Sequence, residues 1–245
     1  MAAPSFVAVG SAAASTDGVT PGMPAGATTG DLLLLAIAGK GEDGIADPCP
    51  TGGDWTLADF ICSSTGAAGG NTQTTVYWAW YDPEINRYVP DAGNLTNAAI
   101  TAWRNVNTSQ PFDVDAATNK VGWGSEDTSV SIDGVTTVTD EARIVLVTSA
   151  GDNVSVSSWA NANLESITEV LESQSSAGDD STLAIAHGEM ASAGDVGSTT
   201  ASVSASEQEA NVCIALRSAD YVEAGGSTFT ASLGGAFGFL FVKIG

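Results

Sequence analysis

The sequence predicts an all-β fold, a sandwich or barrel of mainly antiparallel strands. Three observations lead there. Ten or more short runs of β-branched, aromatic or alternating apolar residues recur along the chain. Gly, Pro, Asn and Asp punctuate them at regular spacing, and helical periodicity is almost absent. No internal repeat of about 20 to 50 residues is visible, which sets solenoids and propellers aside.

The run around which the others fall into place is Leu32-Leu33-Leu34-Leu35-Ala36-Ile37-Ala38, bounded by Gly30-Asp31 and Gly39. A membrane helix needs about 20 apolar residues, and this run is much shorter. Leu and Ala favour helix, but the glycine boundaries and the short length favour a strand. Both alternations are apolar, so both faces of that strand are expected to be covered.

Before it, Ser5-Phe6-Val7-Ala8-Val9-Gly10 alternates and reads as the first strand, and Ser11 to Thr29 reads as a long loop or an extended arm. After it, Trp55 to Ile61 alternates only roughly and reads as a strand. Thr72 to Tyr81 is rich in β-branched and aromatic residues, with Val76, Trp78 and Trp80 on one face and Tyr77, Ala79 and Tyr81 on the other. Asp82-Pro83 ends it. Ala98 to Val106 follows, then Pro111-Phe112-Asp113-Val114. Val130 to Ile132 and Val135 to Val138 flank Asp133-Gly134, a favourable hairpin dipeptide. Ala142 to Thr148 is a near-continuous apolar strand. Gly151 to Asn163 is polar apart from Trp159. Leu164 to Glu172 fits a helix by the spacing of Leu164, Ile167, Val170 and Leu171, and equally a strand starting near Ile167. Thr182 to His187, Thr199 to Ser204 and Glu209 to Arg217 complete the set, the last with Val212, Ile214 and Leu216 facing inward.

Composition narrows the function classes. The chain has 245 residues, 43% of them apolar, enough for a packed core. It carries 29 acidic against 7 basic residues, a net charge of −22. Phosphate binding needs clustered Lys and Arg, so direct contact with nucleic acid is not expected. The acidity fits solubility, salt tolerance or attraction to a basic partner. No basic, apolar leader or membrane span is present at the N-terminus, so synthesis in a cytosol is expected. Cys49, Cys62 and Cys213 contain no Cys-x-x-Cys; a Cys49–Cys62 disulfide is conceivable, but free thiols suit a cytosolic product better. With His187 the single histidine, a His/Cys zinc site is not expected.

Each candidate site in the sequence also has an ordinary structural reading. Asp113, Asp115, Glu126 and Asp127 are the carboxylates a glycoside hydrolase would need in a pair, but acidic loop residues are usually solvated and no nucleophile elbow is present. No catalytic residue is assigned. His187 reads as a strand residue with an ordinary hydrogen-bond partner. Asp113-x-Asp115 and Asp179-Asp180 offer oxygen ligands for Ca²⁺ without the spacing of an EF-hand; no other cofactor and no protein metal site is expected. Trp78, Trp80, Tyr77, Tyr81 and Trp103 could stack on sugars, although core packing claims whichever face points inward. Trp123, between Gly122 and Gly124, belongs to no strand pattern and is the better glycan or partner contact.

One order of motifs is informative as a set. Gly30-Asp31-Leu32-Leu33 is followed by Gly53-Asp54-Trp55-Thr56-Leu57, Val76-Tyr77-Trp78-Ala79, Ile100 to Val106, Pro111-Phe112-Asp113 and Val212 to Arg217. From about Thr28 to Arg217 this resembles the jelly-roll modules of virion proteins of tailed bacteriophages, found in head decorations or spikes and in tail fibres. The resemblance implies an antiparallel β-sandwich of jelly-roll type and a structural or adhesive role with no shared catalytic residues. The expected organisation is an N-terminal strand and loop or arm (1–29), the sandwich (30–217) and a linker with an apolar C-terminal segment (218–245). The expected role is a non-enzymatic structural protein of the virion, made in the host cytoplasm. It would sit on the capsid exterior, contact other virion proteins and form a homo-oligomer, with no membrane partner. A tail-fibre module recognising host glycan is the alternative, and a carbohydrate-active enzyme a more distant one. In the C-terminal segment Phe229, Phe237, Phe239, Phe241 and Ile244 crowd a chain end. Exposed, they would be adhesive, so they are expected to pack on the chain's own sandwich or, preferably, on a neighbouring chain.

Overall fold

The computed structural model describes residues 3–41, 53–62, 71–121, 127–176, 178 and 180–221. The chain is an all-β, antiparallel sandwich, with no α-helix among the described residues. Three sheets are stacked. The first contains β1 (Ser5–Val9), β6 (Leu95–Arg104), β3 (Leu32–Gly41), β5 (Asn71–Trp80) and β4 (Thr56–Cys62) in that spatial order, with the short β2 (Ala13–Ser15) also on β6. The second runs β11 (Glu165–Ser175), β12 (Ser181–Met190), β9 (Ala142–Ala150), β14 (Glu209–Leu216), β7 (Ala117–Val121). The third is small: β10 (Val156–Ala160), β13 (Thr199–Glu207), β8 (Asp127–Ile132).

Three apolar layers hold the stack together. Leu32, Leu34 and Ala36 of β3 meet Val145, Val147, Leu183, Ile185, Val212 and Ile214 between the first and second sheets. Ile144, Leu146, Ala186 and Ala215 meet Val130, Ile132, Val156 and Val203 between the second and third. Leu33, Leu35 and Ile37 point to the outer side of the first sheet, where Val19, Trp55, Ile85 and Val89 close over them. The covering of both faces of the Leu32 run, expected from its composition, is therefore achieved by a sheet on one side and by loops on the other. The faces of β5 are as expected: Val76, Trp78 and Trp80 belong to the inter-sheet layer, and Tyr77, Ala79 and Tyr81 to the outer one.

Segment 11–29 folds back as a loop instead of extending as an arm. It is anchored by the reciprocal Val19–Val89 backbone bonds at 2.8 and 2.9 Å and by the Arg87 guanidinium donating to the Pro21 carbonyl at 2.7 Å. A Cβ on Gly10 would lie 1.9 Å from the Gly22 carbonyl oxygen, so the loop can close only over a glycine.

Two local readings are corrected. Asp133-Gly134 does not form a hairpin. Neither residue has the positive φ that a type I′ turn requires, and β8 pairs with β13 instead. Residues 135–137 cross to the segment after β12, with Val196 N–H donating to Val135 and Thr137 N–H to Gly194. Gly134 is required by close backbone approach: a Cβ there would stand 2.2 Å from the Gly197 carbonyl. The polar stretch 151–163, to which no strand is assigned from the sequence, contains β10. The ambiguity at 164–172 resolves as strand β11, whose edge position leaves Glu165, Glu169 and Glu172 in solvent.

Leu34 is buried between two sheets, so Leu34→Ala is expected to cost about 2–5 kcal/mol, read from urea unfolding. Gly134→Ala is expected to destabilise by about 1–3 kcal/mol through backbone overlap. Substitution of the neighbouring exposed Asp133 by Ala is expected to be nearly neutral, and the same melts compare the two.

Candidate functional site

The structure disperses the carboxylates that the sequence grouped. Asp113 is buried beside Arg217, whose Nε lies 3.4 Å from Oδ1. Its Oδ2 accepts the N–H groups of Val138 and Thr139. It fastens the 111–114 segment to β14 and to the turn before β9. Asp127 is exposed on β8, while Glu126 lies outside the described residues. Asp180 follows β11 with a φ of 54°, and its partner Asp179 is outside the description. No group of three or more His, Cys, Asp or Glu that could hold a metal ion occurs among the described residues. Trp123, Phe229, Phe237, Phe239, Phe241 and Ile244, and with them the partner-binding expectation, lie outside the described residues. So does Cys49, whereas Cys213 is a free thiol, buried between the second and third sheets.

His187 departs from expectation. It projects from β12 into the first inter-sheet layer, 5.4 Å from the Phe6 ring and 5.3 Å from Trp103. Its Nδ1 is buried without a hydrogen-bond partner. Burial, and then the nearby Arg143 charge, push its pKa down from 6.5 to about 4. Arg143 is paired with Glu189 at 2.9 Å and also donates to the Pro4 carbonyl, which ties the N-terminus to the second sheet. Trp103 and Tyr77 are core residues.

Among the described residues, a cleft lies at one edge of the sandwich. Strand β4 has a bulge between Leu57 and Asp59, so that Leu57 pairs with Tyr77 but Asp59 with Val76. Residues paired across a ladder share a face, and an extra residue reverses the alternation. The bulge therefore turns Asp59 from the outer face to the inter-sheet face. The strand's rough alternation is the trace of this bulge in the sequence. Opposite it, the 112–116 segment passes along β14, with Phe112 bridged to Leu216. Ala58 and Asp59 on one wall and Phe112, Val114, Asp115 and Ala116 on the other enclose a cleft of about 270 Å³ floored by Ile214. Behind it Trp78 meets Phe112 edge to face at 5.7 Å and Trp80 at 6.2 Å. The sequence named Pro111-Phe112-Asp113 as a motif, Asp115 as a carboxylate candidate and Trp78 as an aromatic one. It did not bring Asp59 to them, because that depends on the bulge.

A second unusual carboxyl lies at the other interface. Glu209, fully buried on β14, has Asn211 within 3.5 Å, and its Oε1 has no partner. Burial raises its pKa from 4.5 to about 7, opposed by the Asn211 bond and assisted by the charge of Asp127. Near the start of β3, Asp31 shows the opposite. Burial raises its pKa, but the paired bonds from Arg104 at 2.7 and 2.8 Å and the Thr28 N–H outweigh burial and hold it below 3.8.

Compared with protein-family models, curated proteins and solved structures, the chain matches none.

The two raised and lowered groups predict a pH profile. Between pH 4.5 and about 7 the folded chain holds the Glu209 proton that the unfolded chain releases, so stability falls as pH rises through that window. Between 6.5 and about 4 the unfolded chain binds a proton that folded His187 refuses, so stability falls as pH drops through that window. Thermal melts across pH 4 to 8 (about a unit apart) are expected to show Glu209→Gln flattening the upper limb and His187→Gln the lower one. Wild-type slopes in both variants would assign the titrations to other groups.

Proposed function

We propose that this chain is a non-enzymatic structural protein of a bacteriophage virion. It sits on the capsid exterior and acts through contacts with other virion proteins and with copies of itself. The observation that carries this reading is how the chain uses its cations. Of its seven Lys and Arg residues, Lys40, Arg87, Arg104, Arg143 and Arg217 all bond to groups of the same chain. They act as fasteners between loops and layers. The acidic excess therefore has few cations of the chain's own to balance it, which suits remaining dispersed and meeting basic or neutral partners. The apolar side chains of the described layers are likewise spent on the chain's own stacking. The segment at 227–245, with Phe229, Phe237, Phe239, Phe241 and Ile244, remains as the means of attachment. The antiparallel sandwich, built without a helix among the described residues, is consistent with the motif order that resembles virion modules.

The reading is tested on intact particles of the virus that encodes the chain. Immunogold labelling and quantitative mass spectrometry are expected to find it in many copies on the head. Absence from the particle, or a few copies at the tail tip, would overturn the capsid assignment. A chain lacking residues 227–245 is expected to fold, with an unchanged melting midpoint, and to fail to bind particles stripped of the protein. Full binding by the truncated chain would remove the segment from attachment.

A further inference from the structure

The geometry points to the cleft at the open edge of the sandwich as a receptor for one Lys or Arg side chain of a partner protein. This rests on the proposed protein–protein role and names the chemistry by which part of it would be achieved. Every described side chain lining the cleft is either apolar or a carboxylate: Asp59 and Asp115 on the walls, with Phe112, Val114 and Ile214 between. An ionised carboxylate only accepts hydrogen bonds. Anions are thus repelled, and a sugar would meet acceptors for its hydroxyl hydrogens but no side-chain donor for its oxygens. An ammonium or guanidinium brings donors only, on an aliphatic stem that buries well against apolar side chains.

Size and placement agree with this occupant. At about 270 Å³ the cleft falls just below the range of about 300–1,000 Å³ typical of drug-sized ligands. That suits a single side chain. Asp59 already interacts within the chain, and an ionised carboxylate offers about four acceptor positions. Asp115 is exposed at the rim, where an approaching cation arrives first. Arg217, close in sequence to Ile214, is tied to the Asp113 side chain and to its carbonyl at 2.9 Å. The net charge of −22 adds a long-range attraction for a basic partner.

The test is titration of the ¹⁵N-labelled full chain with N-acetylated, C-amidated Ala-Arg-Ala and Ala-Lys-Ala. Ala-norleucine-Ala and a methyl glucoside serve as neutral controls. The basic peptides are expected to give saturable shifts centred on the amides of Asp59, Asp115, Ala116 and Ile214. Affinity is expected to fall about tenfold in the isosteric D59N/D115N variant, a loss of about 1.4 kcal/mol. D115N alone, at an exposed position, keeps the fold and is expected to weaken binding severalfold. Three results would overturn the proposal. They are equal binding of the norleucine peptide, preference for the glycoside, and shifts that spread over the acidic surface and ignore D59N/D115N. None of them touches the particle-localisation result, so failure of the cleft and failure of the virion role are separable.

Discussion

The constraint on which the structure depends is that its middle sheet, β11-β12-β9-β14-β7, has no wet face across its centre. A sheet with one solvated side reveals itself by alternation. Here Ile144 and Leu146 face the small sheet, and Val145 and Val147 face the large one, so β9 is apolar from Ile144 to Val147 without alternation. Any polar group in such a layer must find a partner inside, because an unpaired buried donor or acceptor costs about 1–3 kcal/mol. The layer meets part of that demand crosswise, leaving His187 Nδ1 and Glu209 Oε1 as exceptions. Thr72 and Thr74 of β5 reach the Ser149 hydroxyl of β9 at 3.0 and 2.8 Å, and Thr74 also donates to the Ala210 carbonyl at 2.6 Å. These bonds fix the two sheets in register as well as satisfying their groups.

The outer face of the large sheet is covered differently, and the difference explains the loops. Segment 11–30 is rich in Gly, Pro and small residues and contributes few large side chains, while 81–94 supplies Tyr81, Ile85 and Val89. They are held by specific fasteners in place of bulk burial. Trp55 Nε1 donates to the Asn86 carbonyl at 2.7 Å, Arg87 to Pro21, and Arg104 grips Asp31 with both carboxylate oxygens engaged. Charge-assisted bonds of this kind are roughly twice as strong as neutral ones. They let a thin apolar cover close over Leu33, Leu35 and Ile37.

Much of this was legible in the residues. The doubly buried strand at 32–38, the two faces of β5 and the inward set Val212, Ile214 and Leu216 all follow from alternation and composition. What escaped reading depends on distance in space. Asp133-Gly134 carries a strong local turn signal, yet Gly134 is there because the Gly197 backbone passes against it. Strands β7 and β10 are short and polar, and they are strands because β14 and β13 offer free edges. Of the third sheet, β8 and β13 are visible as strand runs and β10 is not; their apolar residues are few, and they become a layer only when stacked on β9 and β12. At the cleft, Phe112 and Asp115 could be singled out as residue types, but the inward turn of Asp59 required knowing where the bulge falls.

The scarcity of cations ties the fold to its surroundings. A chain with only seven Lys and Arg residues, five of them spent within itself, has few left to neutralise its own surface. Two copies therefore repel one another over any acidic face and associate most readily where charge is sparse or where a partner brings the missing cations. The apolar sequence at 227–245 is of the first kind, with one Lys and no acid in its nineteen residues. The carboxylate-walled cleft is of the second kind. The same economy that uses arginines to pin the Asp31 turn, the 111–114 segment and the N-terminal residues thus leaves few cations of the chain's own to balance its acidic excess.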